Sequence, residues 1–391
     1  MPEYEASGMS VGAFSKLKGI PYAALYQRIK LHKKRAEKVG KSYIVESPAT
    51  LRSKPRLDAP EVRYDDCRLV QAIEREFWIN NPQIGRLELV DHQRRVLNEM
   101  FREQADGRLK YSTYIYSCPK KSGKTAIGSA LTQAFALHYG GEMYSIANDA
   151  EGAKNRMFER VVQSLRLMRE HDPKTFDKIM PDDKKIRERI AINGVIEFAD
   201  CGQVNPGPHQ LRYIAQDAAG EAGSMMACCV FDELWGVSSE RGERLWSEFQ
   251  PIPVIPVSIR LVTTYAGFYG ESALLWRIYE NVCKPNVNTN EEEGNRVPGL
   301  EDLPVFVSDD GSTIVYWDHE ARMPWHTPEF LAQAKNDPSV QGRESEYRRL
   351  WHNEWSSGVE AFIDMEHVDR AIAIGREKGM FNRMSRQVLG V

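Results

Sequence analysis

Eight residues, Cys118-Pro119-Lys120-Lys121-Ser122-Gly123-Lys124-Thr125, constrain this chain more than any other stretch, because they carry P-loop spacing and close on Gly-Lys-Thr. A loop of this kind wraps its backbone N–H groups around phosphate oxygens. Lys124 brings a point charge to the outer phosphates, and the Thr125 hydroxyl is suited to magnesium. The motif needs a strand before it and a helix after it. Tyr111 to Ser117 is rich in aromatic and β-branched residues and predicts the strand. Thr125 to Tyr139 has helical apolar spacing and runs into Gly140-Gly141, which predicts the helix and its end. Cys118 holds the loop's first position, where glycine is usual, so the chain must turn there without one.

Such a loop works with a second element, a buried strand ending in an acid. Met226 to Phe231 is a six-residue apolar run that leads into Asp232-Glu233, a Walker B pattern. Asp232 is the candidate for holding the metal. Glu233, one residue beyond, is the candidate catalytic group that polarises a water for attack on the γ-phosphate. An acidic pair capping the next helix is the plainer alternative for such residues.

Around these motifs, strand and helix signals alternate. Strands are expected at Met143–Ala147, Val195–Ala199, Arg212–Ala215, Met226–Phe231 and Ile259–Thr264, with a helix from Ala150 to about Glu170. That alternation predicts an α/β fold with a mostly parallel P-loop NTPase sheet of the ASCE type, helices on both faces. With 391 residues and 42% hydrophobic content the chain can bury a large core. No stretch approaches a membrane span and the N-terminus has no apolar signal region, so a cytoplasmic protein without membrane partners is expected. The six cysteines form no C-x-x-C pair, which predicts reduced structural thiols.

Charge divides the chain. Residues 1–60 hold twelve Lys or Arg against five Asp or Glu, a net +7, which leaves −10 for the remainder of a chain whose net charge is −3. Within the basic arm, residues 1–45 have a helix-turn-helix outline: a short helix, Gly19, and a second helix opened by Pro21. Tyr22, Tyr26, Gln27 and Arg28 are its candidate DNA contacts, a basic helical hairpin being the other reading. Residues 46–65, with Pro48, Pro55 and Pro60, predict a linker. An ATPase core is expected over 66–280 and a small lid subdomain over 281–360, where prolines and acidic turns separate short apolar segments. Near its end, Arg343, Arg348 and Arg349 lie close to Trp351 and Trp355. They could face DNA or phosphate, or form a helix whose tryptophans enter the core.

In this order the motifs resemble the ATPase portion of a large terminase subunit, the DNA-packaging motor of tailed bacteriophages. Leu89-Val-Asp-His-Gln93 looks like the family's adenine-reading segment. The stretch 119–125 is similar to its basic P-loop, Ser145 to Ala153 to the strand and helix that follow, and Val230-Phe-Asp-Glu233 to its Walker B. Leu261-Val-Thr-Thr-Tyr-Ala-Gly267 resembles the coupling motif, and Tyr347 to Trp355 the segment ending the lid. The likeness spans residues 66–391.

The resemblance implies a set of roles. Gln93 contacts adenine; Lys121, Ser122, Gly123, Lys124 and Thr125 hold the phosphates; Thr125 and Asp232 hold Mg2+; Glu233 activates water. Lys120 is implied as a second catalytic cation, standing where many members carry arginine, and Thr263 and Thr264 relay loss of the γ-phosphate. The arginine that members often carry just before Walker B is missing from 216–225; Arg241 and Arg244 are substitutes within reach in sequence. The implied activity is ATP hydrolysis coupled to translocation of double-stranded DNA into a procapsid. Implied partners are the portal protein, the small terminase subunit and copies of the chain in a ring, with a monomer in isolation.

The family continues into a nuclease domain. Residues 361–391 read as a linker toward it, Gln387–Val391 resembling the start of its first strand, so no nuclease activity is expected of this chain, which reads as a fragment. Two other classes share some of these features. A superfamily 2 helicase-like ATPase has the glutamine, P-loop and Asp-Glu set but needs a second motor lobe. A nucleotide-switched DNA-binding adaptor would act through the helix-turn-helix.

Overall fold

The computed structural model describes residues 66–80, 83–147, 150–215, 225–238, 240–284, 295–338, 340–341, 343–357 and 365–378. The chain divides between Lys54 and Pro55 into two units, the first wholly outside the described residues. The helix-turn-helix outline with Tyr22, Tyr26, Gln27 and Arg28, the linker at 46–65 and the tail Gln387–Val391 therefore lie outside them. So do Asn148, Asp149 and residues 216–224.

A hairpin of β1 (Trp78–Asn80) and β2 (Ile84–Arg86) precedes the main sheet. The sheet comprises β3 (Thr113–Ser117), β4 (Glu142–Ala147), β5 (Ala191–Ile192), β6 (Val195–Glu197), β7 (Gln210–Ala215), β8 (Met226–Asp232), β9 (Ile259–Thr264), β10 (Val305–Val307) and β11 (Thr313–Trp317). Among the described residues it has nine strands in the order β10-β11-β3-β9-β8-β4-β7-β6-β5. Pairing is parallel from β11 through β7 and antiparallel at both ends. β9 thus sits between β3, which leads into the loop 118–125, and β8, which ends at Asp232. The strand expected at Val195–Ala199 is instead one arm of the antiparallel β5–β6 edge. β10 and β11 fall inside the span expected to form the lid, yet they join the main sheet beside β3. Among the described residues of 281–360, the helices Pro328–Lys335 and Glu344–Trp351 lie outside the sheet.

Alternation along the strands explains why both faces are covered. Tyr114 and Tyr116 point into one core with Cys228, Val230 and Leu261, while Ile115 points into the other with Cys229, Phe231 and Val262. The first core is closed by the P-loop helix Lys124–His138 through Ile127, Ala130 and Leu131. The second is closed by the helices Glu240–Glu248 and Ala273–Cys283 through Leu245, Leu274 and Leu275. Burial also accounts for Cys118, Cys228, Cys229 and Cys283, whereas Cys67 is half-buried and Cys201 exposed. All six are free, and burial pushes the Cys118 thiol up to about 12, which leaves it a packing group rather than a nucleophile.

The helix expected from Ala150 to Glu170 carries a π-helical segment, Lys154–Phe158, ahead of Glu159–His171. It presses on the P-loop helix at Gly128, where an added Cβ would fall 2.0 Å from Met157 Cε and 2.9 Å from Thr263 Cγ2. Among the described residues no helix is long and apolar enough to cross a membrane.

Candidate nucleotide site

The site forms at the carboxyl ends of β3, β9 and β8, where parallel sheets leave ligand crevices. Register sets its width. Tyr116 pairs with Thr263, and Thr263 pairs with Asp232, so the P-loop strand and the acidic strand are separated by two inter-strand spacings, about 10 Å. The loop turns at Lys121 (φ 68°) and Gly123 (φ 81°) rather than at Cys118, which accounts for the tolerated cysteine. Gly123 then caps the helix that begins at Lys124.

Lys124 is buried, and its ammonium donates to the Cys118 carbonyl at 2.9 Å and the Pro119 carbonyl at 3.2 Å, 4.8 Å from the Tyr265 ring centroid. It is held by its own loop's carbonyls, a geometry a phosphate oxygen can replace. Thr125 lies in the same cavity of about 1200 Å³, ample for a nucleoside triphosphate, and so do Lys120, Lys121, Ser122 and Gly123. Gln93 lies beside the loop. Its amide donates to the Ser122 carbonyl at 3.1 Å and touches Met323 Sδ at 3.4 Å, while its oxygen accepts from the Val90 N–H at 3.3 Å.

Opposite the loop, Asp232 is 3% exposed. Its Oδ1 accepts from the Thr263 hydroxyl at 2.9 Å, and its Oδ2 is buried with no hydrogen-bond partner among the described residues. An orphaned buried carboxylate oxygen beside a P-loop is an incomplete ligand, and burial pushes this carboxyl up. A carboxylate and a hydroxyl, those of Asp232 and Thr125, are donor types that suit a hard divalent cation such as Mg2+; Thr125 lines the cavity, and Asp232 ends the strand that leads into it.

Glu233 reaches the cavity from a left-handed backbone (φ 61°), a conformation unusual for a non-glycine residue and one that here follows directly on β8. Burial pushes its carboxyl up to about 7, with Lys124 drawing it down and Asp232 pushing it further up. A carboxylate near neutrality is matched to taking a proton from water at physiological pH.

Several residues that no motif marks complete the site. Trp325 donates its indole N–H to the Lys121 carbonyl at 2.9 Å, and Arg160 lines the wall facing the loop. Arg349, read from sequence as a possible DNA contact, is 3% exposed and serves the interior. It lies 4.7 Å from the Trp235 ring centroid and 4.2 Å from that of Phe268, and it donates to the Ala266 carbonyl at 3.2 Å. Trp351 is likewise buried and Trp355 packs on Trp317, whereas exposed Arg348 pairs with Glu354. Arg244 is exposed and paired with Glu240. Thr264 accepts from the Trp235 N–H at 3.4 Å and donates to the Tyr265 carbonyl at 3.0 Å, beside the cavity rather than within it.

Asn353 ties these parts together. Fully buried at φ 52°, it accepts from the Ala266 N–H at 2.6 Å and donates to the Asp318 carbonyl and the Ser117 hydroxyl, both at 3.0 Å. One side chain thus joins the ends of β3, β9 and β11 to the segment after Glu344–Trp351. Asn353→Ala strands three buried partners and places alanine in a left-handed conformation, so it should destabilise the protein by about 2–4 kcal/mol. A lowered urea midpoint checks this; an unchanged midpoint contradicts the assigned network.

No family model and no curated protein matches the chain. Solved structures do match it. One is the large terminase of bacteriophage HK97, at 16% identity and a TM-score of 0.47, covering 76% of this chain and 56% of that one. Another is the ATPase domain of the Thermus phage P74-26 large terminase, at 16% identity and a TM-score of 0.37, covering 69% of this chain and 99% of that one. The chain therefore spans 56% of the length of the HK97 protein it matches. Its structural neighbours are large terminases and their ATPase domains.

Proposed function

We propose that the chain is the ATP-hydrolysing motor of a phage large terminase, which moves double-stranded DNA into a procapsid in the cytoplasm of a bacterial host. The observation that carries this reading is the convergence of Lys124, Thr125 and Glu233 on one cavity, with Asp232 Oδ2, which has no hydrogen-bond partner among the described residues, at the end of the strand that Glu233 follows. The order of motifs along the sequence supports the assignment to packaging.

In this reading Lys124 exchanges its two loop carbonyls for phosphate oxygens, while the backbone N–H groups of 121–125 wrap the β-phosphate. Thr125 and Asp232 hold Mg2+, which when bound neutralises charge developing on the phosphates. Glu233 accepts the proton of a water whose oxygen attacks the γ-phosphorus, and ADP leaves. Lys120 is a second cation at the phosphates. Thr263 ties the outcome to β9 through its bond to Asp232, and Thr264 ties it to Trp235. Gln93 selects adenine. DNA is gripped through its phosphates, with Tyr22, Tyr26, Gln27 and Arg28 as further contacts and the portal protein, the small subunit and other copies of the chain as partners.

Phosphate release from MgATP, measured with and without blunt duplex DNA, tests the reading. Turnover stimulated by duplex without strand separation is expected. Unwinding of the duplex would instead favour a helicase, and turnover indifferent to DNA would remove the motor assignment.

A further inference from the structure

Beyond the nucleotide ligands, one contact chain runs from the reacting carboxylate to the helix Glu344–Trp351. The Trp235 indole N–H donates to Glu233 Oε2 at 2.8 Å. Trp235 is held on every side. Its ring stacks on Tyr265 with centroids 5.7 Å apart, meets Phe268 edge-on at 5.9 Å, and carries the Arg349 guanidinium at 4.7 Å. Its own carbonyl accepts from the Ser272 hydroxyl at 2.6 Å, a contact that needs Gly267, since a Cβ there would sit 2.1 Å from Ser272 Oγ.

Arg349 is fixed in turn. Both ends of its guanidinium fork donate to Glu346 at 2.8 Å, and the remaining nitrogen donates to the Ala266 carbonyl. One residue further along that helix, the Leu350 carbonyl accepts from the Lys120 N–H of the P-loop at 2.7 Å. A buried, planar arginine wedged between aromatic faces and a carboxylate has one orientation available to it. A move of the helix therefore moves the indole, and the indole holds one oxygen of Glu233.

We propose that Trp235 is a positioning residue which orients the Glu233 carboxylate by one oxygen and leaves the other toward the cavity, taking its own orientation from Arg349. Water activation then depends on where the helix Glu344–Trp351 sits, and ATP turnover is tuned by whatever shifts that helix. This inference rests on the proposed ATP-hydrolysing function.

The test compares wild type, Glu233→Gln, Trp235→Phe, Arg349→Lys and the double variant, measuring kcat and KM for MgATP together with thermal midpoint. Trp235→Phe keeps an aromatic face for Tyr265 and Arg349 but loses the N–H donor, so kcat should fall roughly 10- to 100-fold, the span of one hydrogen bond to a charged group, with KM unchanged. Arg349→Lys should lower kcat in the same sense, and the double variant should be no slower than the slower single one, because the two act in series. Unchanged kcat in Trp235→Phe overturns the proposal, and so does a loss confined to KM or one explained by a lower midpoint. Absence of hydrolysis in wild type overturns the proposed function instead, which separates the two failures.

Discussion

Glu233→Gln should cut ATP turnover by about 10²- to 10⁴-fold while leaving ATP binding intact. Gln keeps the shape of the side chain and can still accept the Trp235 indole N–H, so the local hydrogen bond of 2.8 Å survives. What disappears is the proton acceptor, in a position where burial has already brought the acid close to neutrality. General-base loss costs about 10²- to 10⁴-fold. Phosphate release measured under saturating MgATP should fall by that factor, and titration with ATP should show unaltered affinity. Persistent turnover in this variant would move the catalytic group elsewhere and leave the strained backbone at Glu233 without a functional explanation.

The second large effect is at Lys124. Its ammonium is buried in the loop, where it donates to two loop carbonyls, lies over the Tyr265 ring and acts electrostatically on the Glu233 carboxyl. Lys124→Ala removes the charge-assisted contacts expected to bind phosphate, so ATP affinity should weaken on the order of 100-fold, with turnover lost in parallel. Calorimetric titration with MgATP checks the affinity, and circular dichroism checks that the sheet survives. Retained affinity would mean that the triphosphate lies outside this loop. The two variants differ in kind: Glu233→Gln separates chemistry from binding, whereas Lys124→Ala removes both.

How much of this was legible in sequence depends on the range of the interactions. The P-loop, its flanking strand and helix, and the Asp232-Glu233 pair are local patterns, and Ile259–Thr264 folds over the residues the spacing predicts. The buried run Met226–Asp232 was readable because a central parallel strand is apolar on both faces. Gln93 is brought to the loop by a bond to Ser122 that spans only 29 residues.

Asn353 and Arg349 could not be read the same way. Asn353 bonds to Ser117 across 236 residues and Arg349 bonds to Ala266 across 83, and neither has a spacing signature. The arginine and tryptophan cluster at 343–355 has a composition that suits a nucleic-acid surface as well as a buried stack, and only the packing separates the two. The same limit explains β11, a short apolar segment among turns that pairs with β3 200 residues earlier (Thr313 with Thr113), and β10, which joins the sheet through β11. Trp235 had one available clue, its place two residues beyond Glu233.

A structure of the chain with Mg2+ and ADP plus beryllium fluoride tests the central claim most directly. The account predicts phosphate density wrapped by residues 121–125 with Lys124 turned onto it, the metal between Thr125 and Asp232 Oδ2, and adenine beside Gln93. Nucleotide seated elsewhere in the fold, or a bound nucleotide that leaves Asp232 without a metal, would contradict it.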